Sequence, residues 1–272
     1  MKAYKKENNP HYIKRRSFMA TVSEIYEMLD ELLPRSLSLS WDNDGLMVCP
    51  DPDTEVHTIL FALDITDCVV EYAKEIGAEL IISHHPLIFY GLKRMDGKEA
   101  TSRKVIELIK NGIAAMSFHT RLDAAEGGIN DLLAEIFELS NVEAFGVEGD
   151  TTARVGDLPE EMCFEDFCEL VKERLDAPVI TAAKASETVS RLALLGGGGK
   201  DYIYAAKETG ADAYLTGEAS YNAILDGGEN GISVIAAGHY HTEWQFREFF
   251  KKALGDDFEY VDFPLGYELY HA

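Results

Sequence analysis

A chain of 272 residues, 46% hydrophobic and 27% charged, is long enough to bury a core without disulfide staples and too rich in periodic apolar residues to stay disordered. Its 25 Lys and Arg face 48 Asp and Glu, a net charge of −23, and because residues 1–16 carry six cations and one Glu, the remainder stands at −28. So acidic a body repels nucleic-acid phosphates and anionic membranes, which excludes generic polyanion binding and leaves any anionic substrate dependent on a metal or an arginine.

Residues 1–18, MKAYKKENNPHYIKRRSF, read as a basic flexible extension ahead of Met19. No apolar h-region follows these cations and no run approaches the ~18 apolar residues of a membrane span, so a cytoplasmic protein is expected. Cys49, Cys68, Cys163 and Cys168 form no C-x-x-C pair, which argues against a zinc ribbon or a disulfide framework and predicts free cysteines buried as small apolar residues.

From Thr21, the segment TVSEIYEMLDELLP has helical spacing, with Thr21 and Glu24 as a capping box and Pro34 as a stop. A Gly/Pro/Asp-rich loop follows, WDNDGLMVCPDPDTE, in which Trp41, Asp42 and Asn43 read either as a turn with a core aromatic or as a substrate-facing loop. Next come the apolar run HTILFALDIT, a helical stretch to Gly77, the strand ELIISHHP, the helix KEATSRKVIELIKNG, the strand IAAMSFH and the helix GGINDLLAEIFEL. After a less regular stretch from about 140 to 190, strand and helix alternate again through VSRLALLGGGG, DYIYAAKETG, DAYLTGE, a short helix, GISVIAAGH and TEWQFREFFKKAL. This rhythm predicts an α/β fold with mostly parallel sheets flanked by helices. Residues 19–130 and 232–272 are expected to form one lobe and 131–231 a second. GGGGK, Gly196 to Lys200, lacks the spacing of a phosphate loop and reads first as a tight strand-to-helix turn, with anion binding as the less favoured alternative.

Parallel strands share a C-terminal edge, where open α/β sheets bind ligands. The apolar runs end in Asp64, in His84 and His85, in His119, in Glu218 and in His239, with Asp123 and Glu243 close behind. Imidazole and carboxylate without thiolate suit Zn, Mn, Fe or Ni. Adjacent histidines on a strand point to opposite sides, so His84 and His85 predict two cations rather than one. His239 and Glu243 stand i,i+4 at a helix start and so share a face, whereas His241 points elsewhere and is not expected to bind metal. His119 and Asp123 have the same spacing across a strand-to-loop junction, and either is a candidate ligand with the other supporting it.

The segments WDNDGL, ISHHPLIF, FHTRLDAAEGGIN, YLTGE and AGHYHTE together resemble the NGG-interacting-factor-three-like family, dinuclear-metal proteins often labelled GTP cyclohydrolase 1 type 2 homologues. The resemblance runs from about residue 22 to the C-terminus, in the short form that lacks a central inserted domain. It implies two similar α/β lobes assembled into a toroidal homohexamer. It also implies two divalent ions per chain, one on His84 and His239, the other on His85 and Asp123, with Glu243 bridging and His119 alongside; His119 and Glu243 would serve catalysis. The implied activity is hydrolysis of a nucleotide-like or phosphorylated small molecule, as in ring opening of GTP, where metal-bound hydroxide attacks the purine C8 and formate leaves. The alternative is a non-catalytic metal-binding or metal-delivery scaffold built as the same ring.

Overall fold

Thr21 starts the chain's first helix as the sequence predicts: its hydroxyl accepts from the Glu24 backbone N–H while the Glu24 carboxylate accepts from Thr21 N at 3.0 Å. The computed structural model describes residues 20–263, so the basic extension expected at 1–18 lies outside the described residues. In chain order the first half contains α1 (Val22–Leu32), β1 (Gly45–Val48), β2 (Thr58–Ala62), α2 (Asp67–Ile76), β3 (Leu80–Ser83), α3 (Ala100–Lys110), β4 (Ala114–Ser117), α4 (Thr120–Ala124) and α5 (Ile129–Ile136). The second half contains β5 (Ser140–Phe145), β6 (Ala153–Cys163), α6 (Phe164–Leu175), β7 (Thr181–Ala183), β8 (Thr188–Gly198), α7 (Ile203–Glu208), β9 (Ala213–Glu218), α8 (Tyr221–Glu229), β10 (Ser233–Ala236), α9 (His239–Glu243), α10 (Phe246–Leu254) and β11 (Glu259–Asp262).

Two sheets result. One is five-stranded in the order β1-β4-β3-β2-β11, parallel except for β1; the other is six-stranded in the order β5-β6-β8-β9-β10-β7. Only β8, β9 and β10 run parallel in the second sheet, so the expectation of mostly parallel strands holds for the first sheet and fails for the second. The failure comes from the irregular middle of the sequence, which contributes the antiparallel strands β5, β6 and β7. The lobe boundary also differs from the one expected at 232. β10 pairs with β9 and β7 in the second sheet, and only the chain after it returns to the first, where β11 lies parallel to β2.

The strands read as continuous apolar runs because both faces of each sheet are covered. In β2, Ile59 and Phe61 enter a layer between the sheets that also holds α1, α5, α6 and α10, while Leu60 and Ala62 turn outward against α2 and α3. The second sheet repeats this arrangement, with Leu192, Leu194 and Leu215 facing the shared layer and Ala193, Leu195 and Tyr214 facing α7 and α8. A single apolar layer therefore joins the two lobes and brings strand ends of both sheets to one seam. Cys68 and Cys163 are exposed, against the expectation of burial; Cys163 caps α6 with its sulfur, and all four cysteines are free. No helix among the described residues is long and apolar enough to cross a membrane.

Phe61 is fully buried in that layer, stacked on Phe250 and Tyr260 and edge-on to Phe246. Phe61→Ala is expected to lower the unfolding free energy by about 3–5 kcal/mol, against about 1 kcal/mol for removing the α1 cap with Thr21→Ala. Urea denaturation of both variants checks the ranking, and equal losses would contradict a shared core centred on Phe61.

Candidate metal centre

The first sheet delivers its polar residues just beyond its strand ends. His84 and His85 follow β3, and His119 caps α4 immediately after β4. The second sheet delivers Glu218 at the end of β9 and, past β10, the short helix α9 that carries His239 and Glu243. His84 and His85 lie beyond the strand, in a bend, so the alternation expected of strand neighbours does not separate them; their ring centroids are 5.1 Å apart. His85 lies 5.1 Å from the His239 ring, and His119 lies 5.2 Å from His84 and 5.6 Å from His85.

Each imidazole turns Nδ1 outward to an acceptor. His84 Nδ1–H donates to the Phe118 carbonyl at 3.1 Å, His85 Nδ1–H to Asp64 at 2.9 Å and His119 Nδ1–H to Asp42 at 3.0 Å, while His239 Nδ1 stands 3.4 Å from Glu218. Carbonyls and carboxylates only accept, so they hold the proton on Nδ1 and leave the Nε2 lone pair for the interior, the tautomer of metal-binding histidines. The inner nitrogens meet Glu243, which is only 4% exposed. Its Oε1 lies 3.6 Å from His84 Nε2, and its Oε2 lies 3.1 Å from Nε2 of both His85 and His239, the i,i+4 partner on α9. Asp123 Oδ1 stands 3.6 Å from His84 Nε2.

The five residues named by the resemblance therefore converge, but with different nearest contacts. His84 groups with Asp123 and His85 with His239, the reverse of the implied pairing, because His239 enters from α9 on the side of Glu243 that faces His85. His84 Nε2 is buried without a hydrogen-bond partner among the described residues, an arrangement costing about 1–3 kcal/mol that a bound cation would relieve. Sets of three ligand atoms close enough to hold a metal ion occur on His84, His85 and His119 and on His85, His239 and Glu243. The donor set, imidazole and carboxylate, fits a divalent transition metal. His241 stays out of the cluster, with Nδ1–H donating to the Leu175 carbonyl at 3.3 Å, and lines a cavity of about 900 Å³ that also touches Lys200 and Glu218.

The carboxylates titrate apart. Burial and the adjacent Glu243 push the Asp123 carboxyl up, whereas at Glu243 burial is outweighed by His84, His239 and His85, which hold it well below the usual carboxylate range. At His85 burial opposes the charge, but Asp64 and Glu243 outweigh it and push the imidazole up to about 10.

Several residues that position the cluster carry no ligand signature in the sequence. Trp41 to Gly45 forms a clamp against α4. Asp42 accepts from His119 Nδ1, from Thr120 N and from the Thr120 hydroxyl, and Asp44 accepts from His119 N and from Arg121 Nε. Both carboxylates have no exposed side-chain surface. The pair of Asp residues two apart was the available signal, and nothing in the spacing identifies their partners. Gly197 is the other such residue. Its φ of +65° is left-handed, and a Cβ there would collide with Glu243 Oε1 and lie 3.2 Å from His239 Nε2, so only glycine lets β8 pass this close. Of GGGGK, predicted as a tight strand-to-helix turn, Gly196 to Gly198 end β8 and only Gly199 and Lys200 lead into the helical turn; Gly197 forms one wall of the site.

Two outcomes are expected. Gly197→Ala should displace Glu243 and lower bound metal, read by elemental analysis after reconstitution; full metal content would show that the wall yields. The folded value of His85 lies above its ordinary 6.5, so its contribution to chelator-treated protein is complete below pH 6.5 and is lost as pH rises through about 10. Urea midpoints should fall over that window, and Asp64→Asn should flatten the fall.

The sequence profile of the family Duf34/NIF3 (NGG1p interacting factor 3) matches residues 20–268. A GTP cyclohydrolase 1 type 2 homolog of Clostridium perfringens is 34% identical over 249 residues, covering 88% of this chain and 95% of that one. The protein NIF3 homolog of Schizosaccharomyces pombe is 29% identical, covering 81% and 84%. Among solved structures, a hypothetical protein of Staphylococcus aureus superposes with a TM-score of 0.83 at 26% identity over 93% of this chain and 99% of that one. Reduced HcgD from Methanocaldococcus jannaschii superposes with a TM-score of 0.79 at 29% identity over 90% and 98%. With clustered imidazoles and carboxylates at the seam between two sheets, and with relatives matched over nearly their whole length, this chain belongs to the Duf34/NIF3 family.

Proposed function

We propose that the chain is a dinuclear metal-dependent hydrolase acting on a nucleotide-like substrate, with ring opening of GTP as the reference reaction suggested by the names of its relatives. The observation that carries the reading is the approach of three imidazole Nε2 atoms to the two oxygens of one buried carboxylate. In this reading His84 and Asp123 would hold one cation and His85 and His239 the other, with Glu243 between them. Two divalent ions held there would supply Lewis-acid activation of a water and positive charge against an anionic substrate.

The chain's own residues then meet three requirements. Glu243 must stay ionised, and its low proton affinity meets that need. His84 must present Nε2 without a proton, which its Nδ1 contact with the Phe118 carbonyl favours in the neutral ring, and a cation must displace the second proton that Asp64 and Glu243 stabilise on His85. His119 has no near contact with Glu243, so its Nε2 is available to hold and deliver a proton; burial opposes its charge, but Asp42 and Asp123 outweigh burial and raise its proton affinity. Assembly as a homohexamer is proposed on the family resemblance alone. For a chain of net charge −23 it should tighten as salt screens like-charge repulsion, and a monomeric mass by light scattering at both low and high ionic strength would exclude it.

Elemental analysis of reconstituted protein should give two divalent ions per chain, and Glu243→Gln should lose one or both with little change in the stability of the chelated protein. Full metal content in Glu243→Gln, with a small stability loss, would instead make Glu243 a helix-terminal carboxylate. Loaded protein incubated with GTP should release formate, and Asp123→Ala should abolish it. Two ions bound with neither formate nor phosphate released from any nucleotide would assign the chain to the non-catalytic, metal-holding alternative.

A further inference from the structure

Beside the histidine cluster lie aromatic side chains that the core does not use. Trp41 is 57% exposed and Tyr90 81% exposed, and among the described residues only Tyr204 and Tyr221 are comparably open aromatic rings. The Trp41 ring packs edge-on against His119 at 6.0 Å and meets Phe89 at 6.0 Å, and Phe89 meets Tyr90 edge-on at 4.9 Å. These contacts form a continuous aromatic wall running outward from His119.

The wall is held by the same loop that holds the site. Asp42, next to Trp41, is buried and bound to His119 and Thr120, and Asn43 Nδ2 donates to the Ile88 carbonyl at 2.5 Å, tying the Trp41 loop to the segment that carries Phe89 and Tyr90. An indole whose neighbour in sequence is clamped to a catalytic candidate has a fixed position, and its exposed surface costs hydration free energy unless a ligand covers it. Fixed, exposed rings beside a reacting centre are how proteins hold nucleobases: stacking is strong, tolerant of the base and indifferent to the protein's net charge.

We propose that Trp41, with Phe89 and Tyr90, is the binding platform for a planar heteroaromatic ring, placing that ring next to His119. The inference rests on the nucleotide-like substrate of the proposed function and names the part of the chain that recognises it. A second copy of the chain is the competing occupant. The wall continues directly into His119 and the metal-site histidines, which ties it to the site rather than to a surface remote from it.

The chain has two tryptophans, so Trp244→Phe leaves Trp41 as the sole indole emitter. Metal-loaded Trp244→Phe titrated with guanosine 5′-monophosphate should show saturable quenching, and ribose 5-phosphate, which lacks the ring, should leave emission unchanged. In equilibrium dialysis Trp41→Leu should weaken binding of guanosine 5′-monophosphate about tenfold, with bound metal and far-UV dichroism unchanged, and Trp41→Phe should recover most of the affinity. Absence of saturable quenching, equal affinity in Trp41→Leu, or equal quenching by ribose 5-phosphate would overturn the proposal. So would a change of mass in light scattering for Trp41→Leu without a change in nucleotide binding, which would assign the wall to a contact between copies. Failure of the metal reading looks different: ring binding that depends on Trp41 in a protein that takes up no divalent ion would sink the dinuclear hydrolase and leave the platform standing.

Discussion

A carboxylate held at 4% exposure inside a chain of net charge −23 needs positive partners, and the architecture supplies them to Glu243. Desolvating an unpaired carboxylate costs several kcal/mol. The three imidazoles that offset this come from two places in the chain, His84 and His85 beyond β3 and His239 at the start of α9, so the charge is satisfied only when the edges of both sheets meet. The common apolar layer of Phe61, Leu192, Phe246 and their neighbours enforces that meeting. A proton and a cation would compete for the same Nε2 atoms: Asp64 and Glu243 raise the proton affinity of His85, and a bound cation would require that imidazole neutral and take over the charge opposite Glu243.

The clamp formed by Trp41 to Gly45 is a second constraint, and it works through buried ions. Arg121 is fully buried, with Nε donating to Asp44 at 3.0 Å and one terminal nitrogen donating to Asp30 at 2.6 Å and to the Leu33 carbonyl at 2.7 Å. Arg35 reaches the other oxygen of Asp44 at 3.1 Å. A buried network of this kind adds little net stability relative to an apolar core of the same volume, yet removing one member leaves an uncompensated charge, typically costing about 3–5 kcal/mol. Its use is geometric. It fixes the register of the loop against α4, so His119 and Thr120 are oriented by partners that are themselves immobile.

The fold was legible where periodicity and capping agree. The capping box of α1, the helices α2, α3, α5 and α10, and the parallel strands β2, β3, β4, β8, β9 and β10 all follow from apolar runs broken by polar strand ends. The antiparallel strands were not legible, because β1 lies in a Gly/Asp-rich loop and β5 is exposed along most of its length, so neither shows a buried apolar period. The convergence of His84, His85, Asp123, His239 and Glu243 was implied by motif resemblance and by the rule that parallel strands share an edge. Which histidine faces which oxygen was not, since that depends on how α9 seats against β8 and β9. Asp42, Asp44 and Gly197 escaped because their roles lie in contacts about 45 to 80 positions away along the chain.

The acidic surface bears on how a ligand can be recognised. An anionic ligand approaching a body at −23 meets long-range repulsion, weakened beyond a Debye length of about 8 Å at physiological salt but still opposing it near the surface. Recognition by charge alone would have to overcome that repulsion with cations at the site, whereas stacking is short-ranged and insensitive to it. On the proposed reading, a wall of Trp41, Phe89 and Tyr90 leading to a cluster able to hold a cation would separate the two contributions. The rings would select and orient, while positive charge would act only within the cluster, beside the buried Glu243. Selectivity would then follow the ring more than the phosphate count, and the same acidity that repels polyanions elsewhere on the surface would keep longer nucleic acids out of the site.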